Sequence, residues 1–226
     1  FKATLLVTAC NVHWIAADLQ RLAQAAGQCI EQSQGAESPE MGNYGHYHLG
    51  RVLYQHNDLT GAERHFSTVA KQPYVNYGDC FLYGACGLAL TYQAQGRAQE
   101  ARAVAQSIVD FMLETGNTTL LPQAQAFQAE LALRQGHLAE ASLWAGQFTA
   151  KPFAAMYRFY VPHLTLVRVL MKQDNTDSRK QAAGLLEQLY DFVTYTHNRR
   201  VQIDVLALQS LLYDSDGEES AALESL

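Results

Sequence analysis

The chain has 226 residues, of which 48% are hydrophobic and 17% charged, and its formal net charge is −6. This content supports one sizeable core or two small ones and excludes a disordered tail. Because affinity for nucleic acid rests largely on clustered Lys and Arg, the acidic balance predicts no direct nucleic-acid binding by this segment. No apolar run approaches the ~20 residues that span a bilayer, and a secretory signal is not recognisable. We therefore expect no membrane contact and a cytoplasmic location.

Helix-forming residues dominate the chain between its glycines. Ala, Leu, Gln and Glu are frequent, strongly alternating runs are absent and proline occurs only five times, which is typical of an all-α protein. Apolar residues at helical spacing predict helices over 3–10, 13–33, 41–55, 60–71, 78–95, 98–115, 119–135, 138–149, 153–172, 177–197, 199–213 and 218–226. The last of these segments looks cut off, so we expect a fragment of a larger multidomain regulator.

A short phrase recurs along the chain, in which a turn residue is followed five positions later by an alanine. The pairs are Asn57 with Ala62, Gly96 with Ala101, Gly136 with Ala141 and Gly217 with Ala222. Gly and Asn accept the left-handed backbone that ends a helix, and a small alanine permits close crossing of two helices. A spacing of about 40 residues between the units is typical of a helical solenoid.

The phrase resembles the tetratricopeptide repeat. Leu49 and Gly50 match its Leu-Gly pair, Ala62 its turn alanine and Phe66 its second-helix aromatic, and the pairs Tyr92 with Ala101 and Tyr213 with Ala222 repeat parts of the pattern. The usual tryptophan and trailing proline are mostly missing, and the helices are longer than usual. The resemblance implies an all-α fold in which residues 1–226 form a single domain, a right-handed superhelix of about six antiparallel helix pairs.

A narrower resemblance covers nearly the whole chain. The segments that carry it are "HLGRVLYQHNDLTGAERHF", "GLALTYQAQGRAQEARAVAQSI", "AQAFQAELALRQGHLAEASLWA" and "LVRVLMKQDN…KQAAGLLEQLYDF". They look like the helical repeat domain of MalT-type regulators, the large ATP-dependent LuxR-family transcription activators. This implies a sensor segment between an ATPase switch and a DNA-binding helix-turn-helix. We expect both modules elsewhere in the full chain, since no phosphate-binding G-x-x-x-x-G-K-[ST] motif occurs here.

The concave wall of such a superhelix is built from the first helix of each pair. Aromatic and charged residues on predicted first helices are therefore our candidate ligand-binding residues: Tyr44, Tyr47, Arg51, Tyr54, Tyr83, Glu130 and Arg168. Aromatic rings stack and guanidinium groups grip carboxylate or carbohydrate oxygens. Arg51, Glu130 and Arg168 occupy equivalent repeat positions, so we expect them to share one groove. The alternative is that individual tyrosines only fill gaps between repeats.

No catalytic, metal or cofactor site is predicted. His46 and His48, two residues apart, face different directions on a helix, and the four cysteines lack metal-ligand spacing. The favoured hypothesis is a regulatory domain that binds a small-molecule effector on its concave surface. The alternative is an interaction scaffold that binds a peptide or partner protein, although regularly placed Asn and Lys clamp residues are lacking. An enzyme is a third hypothesis, with no supporting constellation of residues.

Overall fold

The computed structural model describes residues 2–33, 39–74, 78–149, 158–215 and 217–225. All regular elements in these ranges are α-helices, which confirms the all-α prediction. They are α1 (Lys2–Ile15), α2 (Leu19–Ser33), α3 (Pro39–Gln55), α4 (Leu59–Ala70), α5 (Gly78–Ala94), α6 (Ala98–Glu114), α7 (Leu121–Arg134), α8 (Leu138–Gln147), α9 (Pro162–Gln173), α10 (Thr176–Tyr195), α11 (Arg199–Ser215) and α12 (Glu219–Glu224). None of these helices is long and apolar enough to cross a membrane.

Successive helices pack as six pairs, α1 with α2 through to α11 with α12. Each pair is joined by a turn with one residue at positive φ, at Ala17, Asn57, Gly96, Gly136, Asp174 and Gly217. Four of these turns were predicted from the repeated phrase. The turns at Ala17 and Asp174 were missed because alanine and aspartate do not mark left-handed backbone as glycine does. The pairs stack into an α-solenoid.

The repeated alanines are buried where the paired helices cross. Ala62, Ala101 and Ala141 have no exposed surface, and Ala222 is also buried. Each one lies in the first turn of its pair's second helix. The sequence prediction that these alanines are buried is therefore confirmed.

Replacement of Ala101 with leucine should lower the free energy of unfolding by about 1 to 3 kcal/mol, because added methylenes overpack a filled crossing. Ala103 lies two residues away on the exposed face of α6, so Ala103→Leu is a matched control. Thermal unfolding of both variants checks the prediction. Equal midpoints for the two variants would contradict the assigned helix register.

The predicted boundary between the first two helices was wrong. A break was expected between residues 10 and 13, but α1 continues to Ile15 and the turn falls at 16–18. Cys10 and Trp14 are both buried on the continuous α1, and the Asp18 carboxylate accepts a hydrogen bond from the Arg21 backbone N–H at 3.0 Å. This N-terminal cap fixes the start of α2.

A second boundary was wrong in a more consequential way. A helix was expected over 153–172, whereas α9 begins at Pro162 and residues 158–161 are not helical; the prediction for 153–157 lies outside the described residues. Val161 is extended, with φ −125° and ψ 107°, because the proline ring disfavours helical backbone in the preceding residue. We call residues 158–161 the strap.

Candidate functional site

The first helices of all six pairs surround one cavity of about 110 Å³, here called the axial cavity. Its lining consists of Trp14 from α1, Tyr54 and Gln55 from α3, Leu90 from α5, Glu130 and Arg134 from α7, Leu164 and Arg168 from α9, Arg200, Val201 and Asp204 from α11, and the strap. Helix α1 also contacts α11 directly, so the superhelix returns on itself. Its inner wall is thus built from first helices, as the repeat pattern predicts.

Phe159 in the strap packs on three aromatic rings, those of Trp14, Tyr54 and Phe66, here called the aromatic floor. Its ring centroid is 6.0 Å from that of Trp14, 5.6 Å from Tyr54 and 5.7 Å from Phe66. Its backbone N–H donates a hydrogen bond to the Tyr47 hydroxyl oxygen at 3.2 Å. Ring pairs at these separations add to the free energy of burial, so the strap is held on the inner wall by both packing and hydrogen bonding.

Arg158 fixes the start of the strap. Its Nη1 lies 2.9 Å from a carboxylate oxygen of Asp79, and its guanidinium carbon lies 4.9 Å from the ring centre of Tyr83. Asp79 also accepts a 3.4 Å hydrogen bond from the Tyr44 hydroxyl. Burial, and then the Asp79 charge, raise the pKa of Tyr44 above its ordinary value. The tyrosine therefore stays a neutral donor.

The end of the strap joins a buried carboxylate. The Thr165 hydroxyl donates to Glu130 at 2.7 Å and lies 2.8 Å from the Tyr160 hydroxyl. Because threonine has one hydroxyl hydrogen, the Tyr160 hydroxyl donates to Thr165. Glu130 also binds Arg134 Nε at 2.7 Å and Arg168 Nη1 at 3.3 Å. Burial alone would raise the pKa of Glu130, but the two arginines and Thr165 outweigh it, and the pKa lies below its ordinary value.

Arg51 does not lie where the sequence predicted. It is completely buried, with its guanidinium carbon 3.6 Å from the Trp14 ring centre and 4.9 Å from that of Tyr47. Its Nη1 is 3.2 Å from His48 Nδ1, and burial lowers the pKa of Arg51 to about 10. The prediction that Arg51, Glu130 and Arg168 share one groove was therefore wrong for Arg51. Glu130 and Arg168 meet at the inner wall, whereas Arg51 packs behind Trp14.

The structure brings the other candidates to the inner wall. Tyr47 and Tyr54 contact Phe159, Tyr83 stacks with Arg158, and Tyr44 reaches the same Asp79 carboxylate as Arg158. Tyr47 and Tyr83 are buried, so they also fill space between repeats, as the alternative interpretation held. The role of the seven residues in ligand binding stays a prediction.

Sequence reasoning missed the strap and two of its neighbours, Trp14 and Arg200. The useful signal was the Val161-Pro162 dipeptide, since a residue before proline favours extended backbone. Trp14 gave no comparable signal, because its position on the inner wall depends on the packing of α1 against α3 and α11. In the described part of the chain no group of three or more His, Cys, Asp and Glu side chains could hold a metal ion. The four cysteines are free and buried.

Three histidines make folding depend on pH. Burial lowers the pKa of His48 far below its ordinary value and lowers that of His46. Burial and the neighbouring His46, whose Nδ1 lies 2.8 Å from His65 Nδ1, lower the pKa of His65 to about 4. Unfolded histidines take up protons near pH 6.5, so the unfolded chain binds more protons below that pH.

We expect stability to be complete above about pH 6.5 and to fall as the pH drops towards about 5, before most carboxylates titrate. Urea unfolding at pH 7.5, 6.5 and 5.5 measures the slope. His65→Gln should flatten it, whereas replacement of the exposed His56 with glutamine should not. An identical slope in all three proteins would contradict this assignment.

These features define a helical repeat domain of the tetratricopeptide type with a lined inner wall. The sequence profile of a family described as the MalT-like TPR region matches residues 11–226. The chain therefore belongs to this family, whose repeats form sensory or regulatory helical domains. A search of curated proteins found no match.

Proposed function

We propose that the chain is the effector-sensing domain of a bacterial transcription activator, and that the effector binds the inner wall at the place held by the strap. The observation that carries this proposal is the strap itself. A non-helical segment of this chain already lies across first helices there. The wall contacts its Phe159 ring, its Arg158 guanidinium group and the Phe159 backbone N–H. An aromatic or polar organic ligand with similar groups could replace those contacts.

The size of the axial cavity supports a regulatory role for the strap. At about 110 Å³ the cavity is smaller than the ~300 to 1,000 Å³ of sites for organic ligands. An effector of that size therefore needs Phe159 to leave its aromatic floor. Binding would then select a state with the strap displaced, and the effector's differential affinity for that state would set the shift.

Displacement of the strap has a direct route to the rest of the domain. The strap runs into α9 at Pro162, and α9 packs on α7. The Tyr160–Thr165–Glu130 contacts couple the strap to both helices. In the proposed mechanism this change in the packing of α9 on α7 reaches an ATPase switch and a helix-turn-helix elsewhere in the full chain, and DNA is bound by the latter module.

The test is a thermal-shift screen of neutral oligosaccharides, amino acids and short peptides on the wild-type chain and on Phe159→Ala. Loss of the ring should weaken the strap, so a true effector should bind the variant more tightly. Tyr195→Ala is the matched control, because the Tyr195 ring is 85% exposed. Compounds that bind all three proteins with equal affinity would contradict the proposed place of binding. Binding of peptides alone would favour the scaffold alternative.

A further inference from the structure

The axial cavity is rich in guanidinium groups. Arg134, Arg158, Arg168 and Arg200 all line it, although the chain as a whole has a net charge of −6. Arginine presents fixed N–H donors that match carboxylate and phosphate oxygens. Four of the sixteen Lys and Arg side chains of the chain thus converge on a single small space.

The nearby carboxylates do not balance these charges. Arg134 and Arg168 share Glu130, Arg158 pairs with Asp79, and Arg200 Nη1 lies 3.0 Å from Asp204. Among the described residues, the three guanidinium groups of Arg134, Arg168 and Arg200 thus share two carboxylates, those of Glu130 and Asp204. This part of the cavity wall therefore carries a surplus of positive charge, and low-dielectric walls strengthen its attraction for anions.

Two buried donors at the cavity wall reinforce this point. The Trp14 side chain is 1% exposed, and its Nε1 has no hydrogen-bond partner among the described residues. Nε of Arg200 is also buried without a hydrogen-bond partner among the described residues. The Arg200 guanidinium carbon lies 5.2 Å from the Trp14 ring centre. Both groups donate and cannot accept, and a buried donor without a partner is costly. A ligand that satisfies these two donors must present acceptor atoms to them.

We propose that the axial cavity binds a small oxyanion, a phosphate or carboxylate group that is either free or the ionised end of an organic ligand. A volume of about 110 Å³ corresponds to roughly three or four water molecules at about 30 Å³ each, which suits a group of this size with the strap in place. This proposal rests on the same inner wall as the proposed function, but it needs no displacement of Phe159. An experiment can therefore contradict oxyanion binding without contradicting effector binding at the strap, and the reverse.

The experiment is calorimetric titration of the 226-residue chain with inorganic phosphate, pyrophosphate and acetate at low ionic strength. We expect saturable binding with one site. Arg168→Gln should weaken it about tenfold or more, because charged hydrogen bonds are lost while Arg134 and Thr165 still hold Glu130. Arg200→Gln is a second variant, used if the first does not fold. Arg102→Gln on the outer helix α6 is the control with the same change in charge.

The outcomes separate the sources of the oxyanion. Tighter binding of phosphate and pyrophosphate than of acetate would identify a phosphate site, and comparable binding of all three a general oxyanion site; both support the proposal. Absence of binding at about 10 mM of each anion would overturn it. Equal weakening by Arg102→Gln and Arg168→Gln would also overturn it, since that is the behaviour of diffuse surface charge.

Discussion

Replacement of Glu130 with alanine should lower the free energy of unfolding by about 2 to 4 kcal/mol, because it removes a buried side chain and the charged hydrogen bonds that it accepts from two partly exposed arginines and Thr165. Glu130 is 1% exposed and holds Arg134, Arg168 and Thr165 together. Loss of the carboxylate also frees the Thr165 hydroxyl to rotate away from Tyr160. Urea unfolding followed by circular dichroism measures the change.

Two companion variants show whether the loss has this cause. Glu187 is exposed in the middle of α10, and Glu187→Ala should change stability by only about 0.5 kcal/mol. Glu130→Gln keeps the shape and one acceptor oxygen but removes the charge. Stability of Glu130→Gln close to that of the wild type would contradict a role for the charge and would leave only packing and hydrogen bonding.

Replacement of Arg51 with alanine should cost about 2 to 5 kcal/mol, as for truncation of a long buried side chain. The sequence interpretation treated Arg51 as a ligand-binding residue of the concave groove, which implies little effect on stability. The structure changes that expectation, because Arg51 is fully buried between Trp14 and Tyr47. Thermal and urea unfolding of the variant measure the cost.

Arg51→Met distinguishes packing from charge. Burial already lowers the pKa of Arg51 to about 10, so the interior disfavours its charge, and an apolar side chain of similar volume often costs little at such a position. We expect the methionine variant to be clearly more stable than the alanine variant. Equal losses in the two variants would show that the cation on the Trp14 ring, and not the filled volume, stabilises this region.

The repeated fold could be predicted because its determinants are local. Every predicted crossing has a glycine or asparagine in its turn and an alanine five residues later, such as Gly96 and Ala101. The structure shows the turn residue at positive φ and the alanine buried. Those residues are required by backbone geometry and by the close approach of two helices. The end of α1 had no such signal, since Ala17 takes the left-handed conformation without a glycine.

The inner wall was only partly predictable because it depends on contacts between distant segments. Equivalent repeat positions placed Glu130 and Arg168 together correctly. The Arg51 side chain does not join them, because it packs on Trp14, a residue 37 positions earlier in the chain. The Arg51 guanidinium carbon lies 3.6 Å from the centre of the Trp14 ring. The strap was hidden inside a predicted helix, and only its packing on Tyr54 and Phe66 shows that it crosses the wall.

Trp14 provides the most direct test of ligand binding at the inner wall. The chain has two tryptophans, and Trp14 lines the axial cavity whereas Trp144 packs with Phe148 on the outer helix α8. In a Trp144→Phe variant the fluorescence therefore reports on the inner wall alone. Any compound that raises the thermal midpoint of the wild-type chain should change Trp14 emission in this variant, with saturation at the same concentration. A stabilising ligand that leaves Trp14 emission unchanged at saturation would contradict the inner wall as the binding surface.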